Sequence, residues 1–334
     1  MSDDASPGGG EAPNFKYILP NCTKTALAEE EGGGGRFSIR QEPWDACGLC
    51  NVALTVHLDG RVKILDGVLS PEECLHLQVA VDDCAHLSFW SPAGRENDEA
   101  RAFRDADTIE ISNNSMARLL WERTSHLLTM PECIIHIPDE EPAEASRWEW
   151  ERELPGEWLP AAYNHDVLFA KYPSEGGFAP HTDGRVIYDF NLRSFESVIV
   201  FLNDIPDGCG GGTRFYRNEA QKQLKRDTCG RWTADSSLVT LEVAPRAGRV
   251  LIFDQSLMHE GVPPALPHSK YIMRSDIMYQ RCPAVCNGEK DREAYALYQQ
   301  AENLAEQNQI DLSLALFSKA WKLSPTLARI QGQR

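Results

Sequence analysis

The sequence predicts an α+β chain built around a β-sandwich or barrel. Three observations predict it. Capped helical segments lie between Pro71 and Leu128, and many short apolar runs separated by Gly-, Pro- and Asp-rich turns fill Asp166 to Arg281. After Gln280 the apolar residues switch to helical spacing. The 334 residues suffice for two average domains or for one larger β-rich domain with extensions, and 42% hydrophobic with 25% charged residues is an ordinary globular mixture.

Along the chain, residues 1–40 read as a disordered Gly- and acid-rich tail. The runs Gly8–Gly10, Glu29–Glu31 and Gly32–Gly35 cannot bury enough apolar surface to offset the entropy of ordering. Order is expected from about Cys50. Val52, Leu54 and Val56 alternate, the turn Asp59-Gly60 follows, and Val62, Ile64 and Leu65 complete a hairpin. Ser70-Pro71-Glu72-Glu73 is a capping box with Pro at the first helical position, opening a helix of about four turns through Leu75, Val79, Ala80 and Leu87. Thr108 to Ile111 reads as a strand. Asn113-Asn114-Ser115 caps a second helix carrying Met116, Leu119, Leu120, Leu127 and Leu128.

Residues 138–160, rich in Pro, acid and Trp, read as a loop or insertion. Core packing is the preferred role for any one of Trp148, Trp150 and Trp158. Strands are expected at Val167–Tyr172, Val198–Leu202, Thr213–Tyr216, Leu238–Val243, Arg249–Phe253 and Tyr271–Tyr279. Ala294, Leu297, Ala301 and Leu304, then Leu312, Leu316, Ala320 and Leu323 before Pro325, describe an α-hairpin over 290–334. It resembles one tetratricopeptide unit; a single unit builds no solenoid, so a helical pair packed on the barrel is expected, with a protein partner on these helices as the alternative use.

Charge and cysteine usage exclude several classes. With 50 acidic and 33 basic side chains the net charge is −17, which argues against a duplex nucleic-acid partner and against an anionic membrane surface. The apolar runs are strand-sized, short of the roughly 20 residues of a membrane span. Met1-Ser2-Asp3-Asp4 opens no secretory signal, and the 10 scattered cysteines read as reduced thiols of a cytoplasmic or nuclear protein. Cys47-Gly-Leu-Cys50 has redox or half-zinc-site spacing. No strand precedes it and no second such pair completes it, so incidental thiols are preferred.

The chemistry concentrates in His181-Thr182-Asp183. Strand alternation places His181 and Asp183 on one face. The run Gly248 to Asp254 reads as a buried strand whose following turn delivers His259, in Met258-His259-Glu260-Gly261. Two histidines and one carboxylate form the facial triad of non-haem Fe(II) oxygenases, which leaves positions open for a bidentate keto acid and dioxygen. Lys270 and Arg274, four apart among Tyr271, Ile272, Met273 and Ile277, share one face of a buried strand. Either could neutralise the distal carboxylate of a keto diacid, the other pairing with Asp276, Asp183 or substrate.

These pieces, in order, resemble the 2-oxoglutarate/Fe(II) dioxygenase superfamily in its prolyl 4-hydroxylase-like branch. They are Phe169–Tyr172 followed by Gly177–Gly184, Ser197–Asp204, Gly210–Phe215, Gly248–Phe253, and His259–Gly261 with Lys270-Tyr271. The resemblance implies a distorted double-stranded β-helix (jelly-roll) with supporting N-terminal helices, an oxygenase domain at 50–283 and a catalytic core at 158–281. It places His181, Asp183 and His259 on the iron ligands and Tyr172 beside 2-oxoglutarate. Phe201 stands where some members carry a second tyrosine. The basic anchor usually follows the distal histidine by nine or ten residues; Lys270 follows at 11 and Arg274 at 15, and both stand as candidates.

The implied cofactors are Fe(II), 2-oxoglutarate as co-substrate and O2, with ascorbate as an accessory. The implied reaction hydroxylates a C–H bond of a protein, prolyl by analogy, or of a small molecule, releasing succinate and CO2. Arg185, Tyr188 and Arg193 are candidates for the pocket mouth, ordinary rim residues being the preferred reading. The competing reading is a noncatalytic β-helix binding protein that recruits partners through the C-terminal helices.

Overall fold

The computed structural model describes residues 52–84, 87–89, 97–141 and 151–332. The tail at 1–40, Cys47, Cys50, Trp148 and Trp150 lie outside the described residues. In chain order the elements begin with β1 (Ala53–His57), β2 (Val62–Asp66), α1 (Pro71–Asp82), β3 (Ser88–Phe89), α2 (Asp98–Phe103), β4 (Asp107–Ser112), α3 (Asn114–Leu128) and β5 (Ile135–Ile137). There follow β6 (Gly156–Tyr163), β7 (Asp166–Tyr172), β8 (Phe178–His181), β9 (Ile187–Asp189), β10 (Leu192–Phe201), β11 (Thr213–Tyr216), β12 (Lys225–Arg226), β13 (Trp232–Thr233), β14 (Val239–Val243), β15 (Val250–Asp254), β16 (His259–Gly261) and β17 (Lys270–Cys282). The chain closes on α4 (Glu289–Glu306), α5 (Ile310–Leu323) and α6 (Pro325–Ile330).

Two antiparallel sheets face each other as a jelly-roll sandwich. The 11-stranded sheet runs β1-β2-β15-β10-β17-β7-β4-β3, with β5, β6 and β9 joined off that path; the 4-stranded sheet runs β14-β11-β16-β8. The central strands of the large sheet are buried on both faces, which is why they read as continuous apolar runs instead of an apolar/polar alternation. Val198, Val200, Met273, Ile277, Val250 and Ile252 pack with Leu77 and Val81 of α1 and Leu119 and Leu120 of α3. Their strand neighbours Ile199, Phe201, Ile272, Leu251 and Phe253 point the other way, against Phe215 and Val243 of the small sheet. Period-two geometry therefore sends each strand's odd and even residues into different cores.

α1 departs from expectation. Its capping box forms, with Glu73 N–H donating to Ser70 Oγ (3.2 Å) and Ser70 N–H to Glu73 Oε2 (2.8 Å). The helix ends at Asp82, short of Leu87, and buries Cys74, Leu77 and Val81, while Leu75 (57%) and Val79 (49%) are exposed. The stripe at spacings of three and four begins at Cys74, one residue before the Leu75 register, because only that face meets the sheet. Trp158 also departs from the loop assignment: it lies in β6, fully buried, edge-on to Phe195 at 5.2 Å, with its indole N–H on Leu154 O at 2.8 Å.

The C-terminal helices pack on the β-core. Ala294, Tyr295, Ala320 and Leu327 bury against Phe190 and Cys286, and Arg193 Nη2 donates to Tyr295 Oη (3.2 Å). The expected hairpin is followed by a third short helix, α6, capped by Ser324. Among the described residues no helix is long and apolar enough to cross a membrane.

Candidate active site

His181 ends β8 and His259 opens β16, and the two strands pair with these residues directly opposite each other. Neighbouring strands therefore bring the imidazoles together, with ring centroids 4.3 Å apart. Asp183 lies two residues past His181, just beyond the strand, where its N–H donates to Gln255 O (2.9 Å). One Asp183 oxygen is 3.5 Å from His181 Nε2 and the other 3.8 Å from His259 Nε2, and one ligand atom from each residue lies within 4.8 Å of the others.

Both imidazoles are fixed from behind. His181 Nδ1 donates to Ala179 O (2.7 Å) and His259 Nδ1 to Leu257 O (2.9 Å). A carbonyl only accepts, so Nδ1 carries the proton and the Nε2 lone pairs face the cluster, as a metal-binding histidine requires. Phe178 stacks on His181 (3.7 Å) and Phe253 packs edge-on to His259 (4.5 Å), restricting ring rotation. Burial, with the neighbouring His181, pushes His259 down to about 3, so the ring is neutral and available as a ligand.

The large sheet supplies the partners of the carboxylate. Ser197 Oγ on β10 donates to Asp183 Oδ2 (2.5 Å), and Arg274 Nη2 on β17 sits 3.4 Å from the same oxygen. Burial raises the Asp183 carboxyl, but Arg274 and His259 outweigh it and hold the group well below the usual carboxylate range. Arg274 is shared, its Nη2 also lying 3.5 Å from Asp276 Oδ1. Burial raises Asp276, which accepts a hydrogen bond from Gln255 Nε2 (3.0 Å).

Lys270 opens β17 opposite Tyr172, and its Nζ lies 4.8 Å from the Tyr172 ring centroid. It is 2% exposed, and among the described residues no carboxylate stands within ion-pair distance of its Nζ. Burial lowers it to about 7, against the attraction of Glu260. Lys270, Arg274, Tyr172, Thr213, Ile199 and Ile272 line one pocket with His181, Asp183 and His259. All six residues that the sequence singles out thus meet in a single cavity, with the Lys270 and Arg274 side chains on one face of β17.

Residues 167–275 match the 2OG-Fe(II) oxygenase superfamily. The chain carries a 2OG-Fe(II) oxygenase domain. No curated protein matches the sequence. Among solved structures, a Pseudomonas putida prolyl-4-hydroxylase matches at 15% identity and TM-score 0.39, covering 66% of this chain and 92% of that one. A Trichoplax adhaerens prolyl hydroxylase in complex with a hypoxia inducible factor oxygen degradation domain peptide fragment matches at 14% and 0.42, covering 70% and 86%. HygX from Streptomyces hygroscopicus, with nickel and 2-oxoglutarate bound, matches at 10% and 0.38, covering 67% and 84%.

Some candidates stand elsewhere in the oxygenase domain. Arg193 is fully buried, 3.1 Å from Glu153 and over the Trp158 ring at 5.3 Å, so it is structural and not at a mouth. Arg185 packs on Phe195 (5.1 Å), and Tyr188 Oη donates to Asn164 Oδ1 (2.8 Å); neither lines the pocket. Sequence reasoning missed the roles of Ser197 and Gln255. Ser197 carried a faint signal, as a hydroxyl on the same strand face as Ile199 and Phe201.

Proposed function

We propose that the oxygenase domain hydroxylates a C–H bond with His181, Asp183 and His259 as Fe(II) ligands and Lys270 as the anchor of 2-oxoglutarate. The observation that carries the reading is the donor set: two imidazoles and an ionised carboxylate, one ligand atom of each within 4.8 Å of the others, with both Nδ1 atoms committed to backbone carbonyls. That set suits Fe(II), which His181, Asp183 and His259 would hold as its protein ligands. Bound Fe(II) would supply the redox chemistry by which O2 decarboxylates 2-oxoglutarate to succinate and CO2 while one oxygen atom enters the substrate.

The chain's own residues do the positioning. Ser197 and Arg274 orient Asp183 and keep it ionised. Lys270 is favoured over Arg274 as anchor because Arg274 already serves Asp183 and Asp276, whereas Lys270 is a buried ammonium that a carboxylate would complete. Tyr172 stands beside Lys270 on the neighbouring strand, and Phe178, Ile199 and Ile272 add apolar walls to the cavity.

A protein or small-molecule substrate is proposed, with peptidyl proline suggested by the sequence resemblance, and ascorbate as accessory reductant. The test is Fe(II)-dependent conversion of 2-oxoglutarate to succinate by the full chain without prime substrate. His181→Ala should abolish it. Metal-loaded wild-type protein that neither binds nor turns over 2-oxoglutarate would sink the reading. A panel of proline peptides scored by the mass of one added oxygen then tests the substrate, and turnover that ascorbate fails to extend would remove it from the scheme.

A further inference from the structure

Arg104 lies outside the stretch that matches the oxygenase superfamily, just past the C-terminal end of α2, yet it lines the same pocket as the metal-type cluster. Its position is fixed on several sides. Arg104 N–H donates to Ala100 O (2.8 Å), Asp105 N–H donates to Gly177 O (2.9 Å), and Arg104 forms an antiparallel bridge with Phe178. α2 is tethered in turn, because Glu99 accepts from Arg226 Nη2 (2.6 Å) and Trp232 Nε1 (3.3 Å) of the β12–β13 hairpin.

The guanidinium lies over the Phe178 ring at 4.7 Å and 5.9 Å from the centroid of Tyr172. Lys270 Nζ approaches that same Tyr172 ring at 4.8 Å. Gly261 leaves the room for it: a Cβ there would stand 3.3 Å from Lys270 Nζ and 3.3 Å from Phe178 Cβ. Two cations, 3% and 2% exposed, therefore share one aromatic-walled corner. They oppose each other, since after burial and against Glu260 the charge of Arg104 further depresses Lys270. A carboxylate bound in this corner would accept charge-assisted hydrogen bonds from both cations.

We infer that Arg104 and Lys270 together clamp the distal carboxylate of the keto-acid co-substrate, making Arg104 a specificity-determining residue that selects a dicarboxylate. This rests on the oxygenase reading above. The clamp joins the residue that follows the small helix α2 to a strand of the large sheet, so docking of α2 on the β12–β13 hairpin becomes a condition for tight co-substrate binding.

The experiment uses the full chain loaded with Mn(II), which occupies the same donor set without turnover, and calorimetric binding of two probes. One is 2-oxoglutarate. The other is 2-oxobutyrate, which keeps the keto-acid head and lacks the distal carboxylate. Arg104→Met, which keeps much of the packing on Phe178, should weaken 2-oxoglutarate by about tenfold or more and 2-oxobutyrate by less than about twofold, the scale of one lost charged hydrogen bond. Arg104→Lys should recover part of the loss. Unchanged 2-oxoglutarate binding in Arg104→Met overturns the clamp and leaves Lys270 as sole anchor. Equal weakening of both probes with a lowered melting temperature also overturns it, as a packing role. Wild-type protein that takes up Mn(II) but binds no 2-oxoglutarate removes the oxygenase reading itself, a result distinct from either.

Discussion

The two sheets contribute different chemistry to one pocket. The small sheet holds the imidazole donors, His181 on β8 and His259 on β16, locked by backbone carbonyls and by Phe178 and Phe253. The large sheet holds the charged and hydroxylic groups, Tyr172 on β7, Ser197 on β10, and Lys270 and Arg274 on β17. Asp183 joins the two, leaving the small sheet through the chain and meeting the large one through Ser197 and Arg274. On the proposed function, metal holding and anion holding are divided between the two layers, with Asp183 touching both.

That contrast can be broken one side at a time. Removing a small-sheet donor by His259→Ala should abolish both metal uptake and turnover, read by metal analysis and succinate formation; retained stoichiometric metal would contradict the assignment. Removing a large-sheet cation by Lys270→Ala should leave metal uptake intact and weaken 2-oxoglutarate by roughly a hundredfold, the scale of about 2–3 kcal/mol for a buried charged contact. If metal is lost with it, the two layers are not separable.

Ser197→Ala tests the joint. With Arg274 still beside Asp183, metal affinity should fall by about tenfold, the lower end for partners that orient a ligand. A change confined to 2-oxoglutarate affinity would place Ser197 wholly on the anion side. The smallest expected effect is in pH. Lys270, lowered to about 7 by burial, holds an anion only as the ammonium, so 2-oxoglutarate affinity should be greatest below that value and decline as pH rises through it. Anion binding favours the protonated form and moves the decline upward. Lys270→Arg should flatten the profile, because a guanidinium stays charged throughout; a profile unchanged by that substitution would locate the titration elsewhere.

Much of this was legible in the chain. The strands of the core stand within a few residues of the apolar runs, because strands buried on both faces leave an unbroken hydrophobic signature between turn residues. Ser70 and Asn113 mark their helix starts, since caps act through bonds only three residues away. The face of α1 was less legible: Cys74 and Leu75 are both apolar, and only contact with the sheet selects between them. Trp158 was expected in the core and is buried there, but its acidic and Pro-rich stretch gave no sign of the strand that carries it.

By itself the sequence singled out the donor set that the structure brings together. His181 and Asp183, two apart, and His259 at the head of a short strand are local patterns whose residue types fix what they can bind. Only the tertiary structure decided how the charges are shared. Arg274 is drawn to Asp183 and Asp276, Lys270 is left facing Tyr172, and Arg104 is brought in from just past α2, a stretch whose sequence carries no motif pointing to the pocket. The physical reason is range. Alternation and capping operate over a few residues along the chain, whereas charge pairing depends on through-space distance and burial, which exist only once the two sheets have closed on each other.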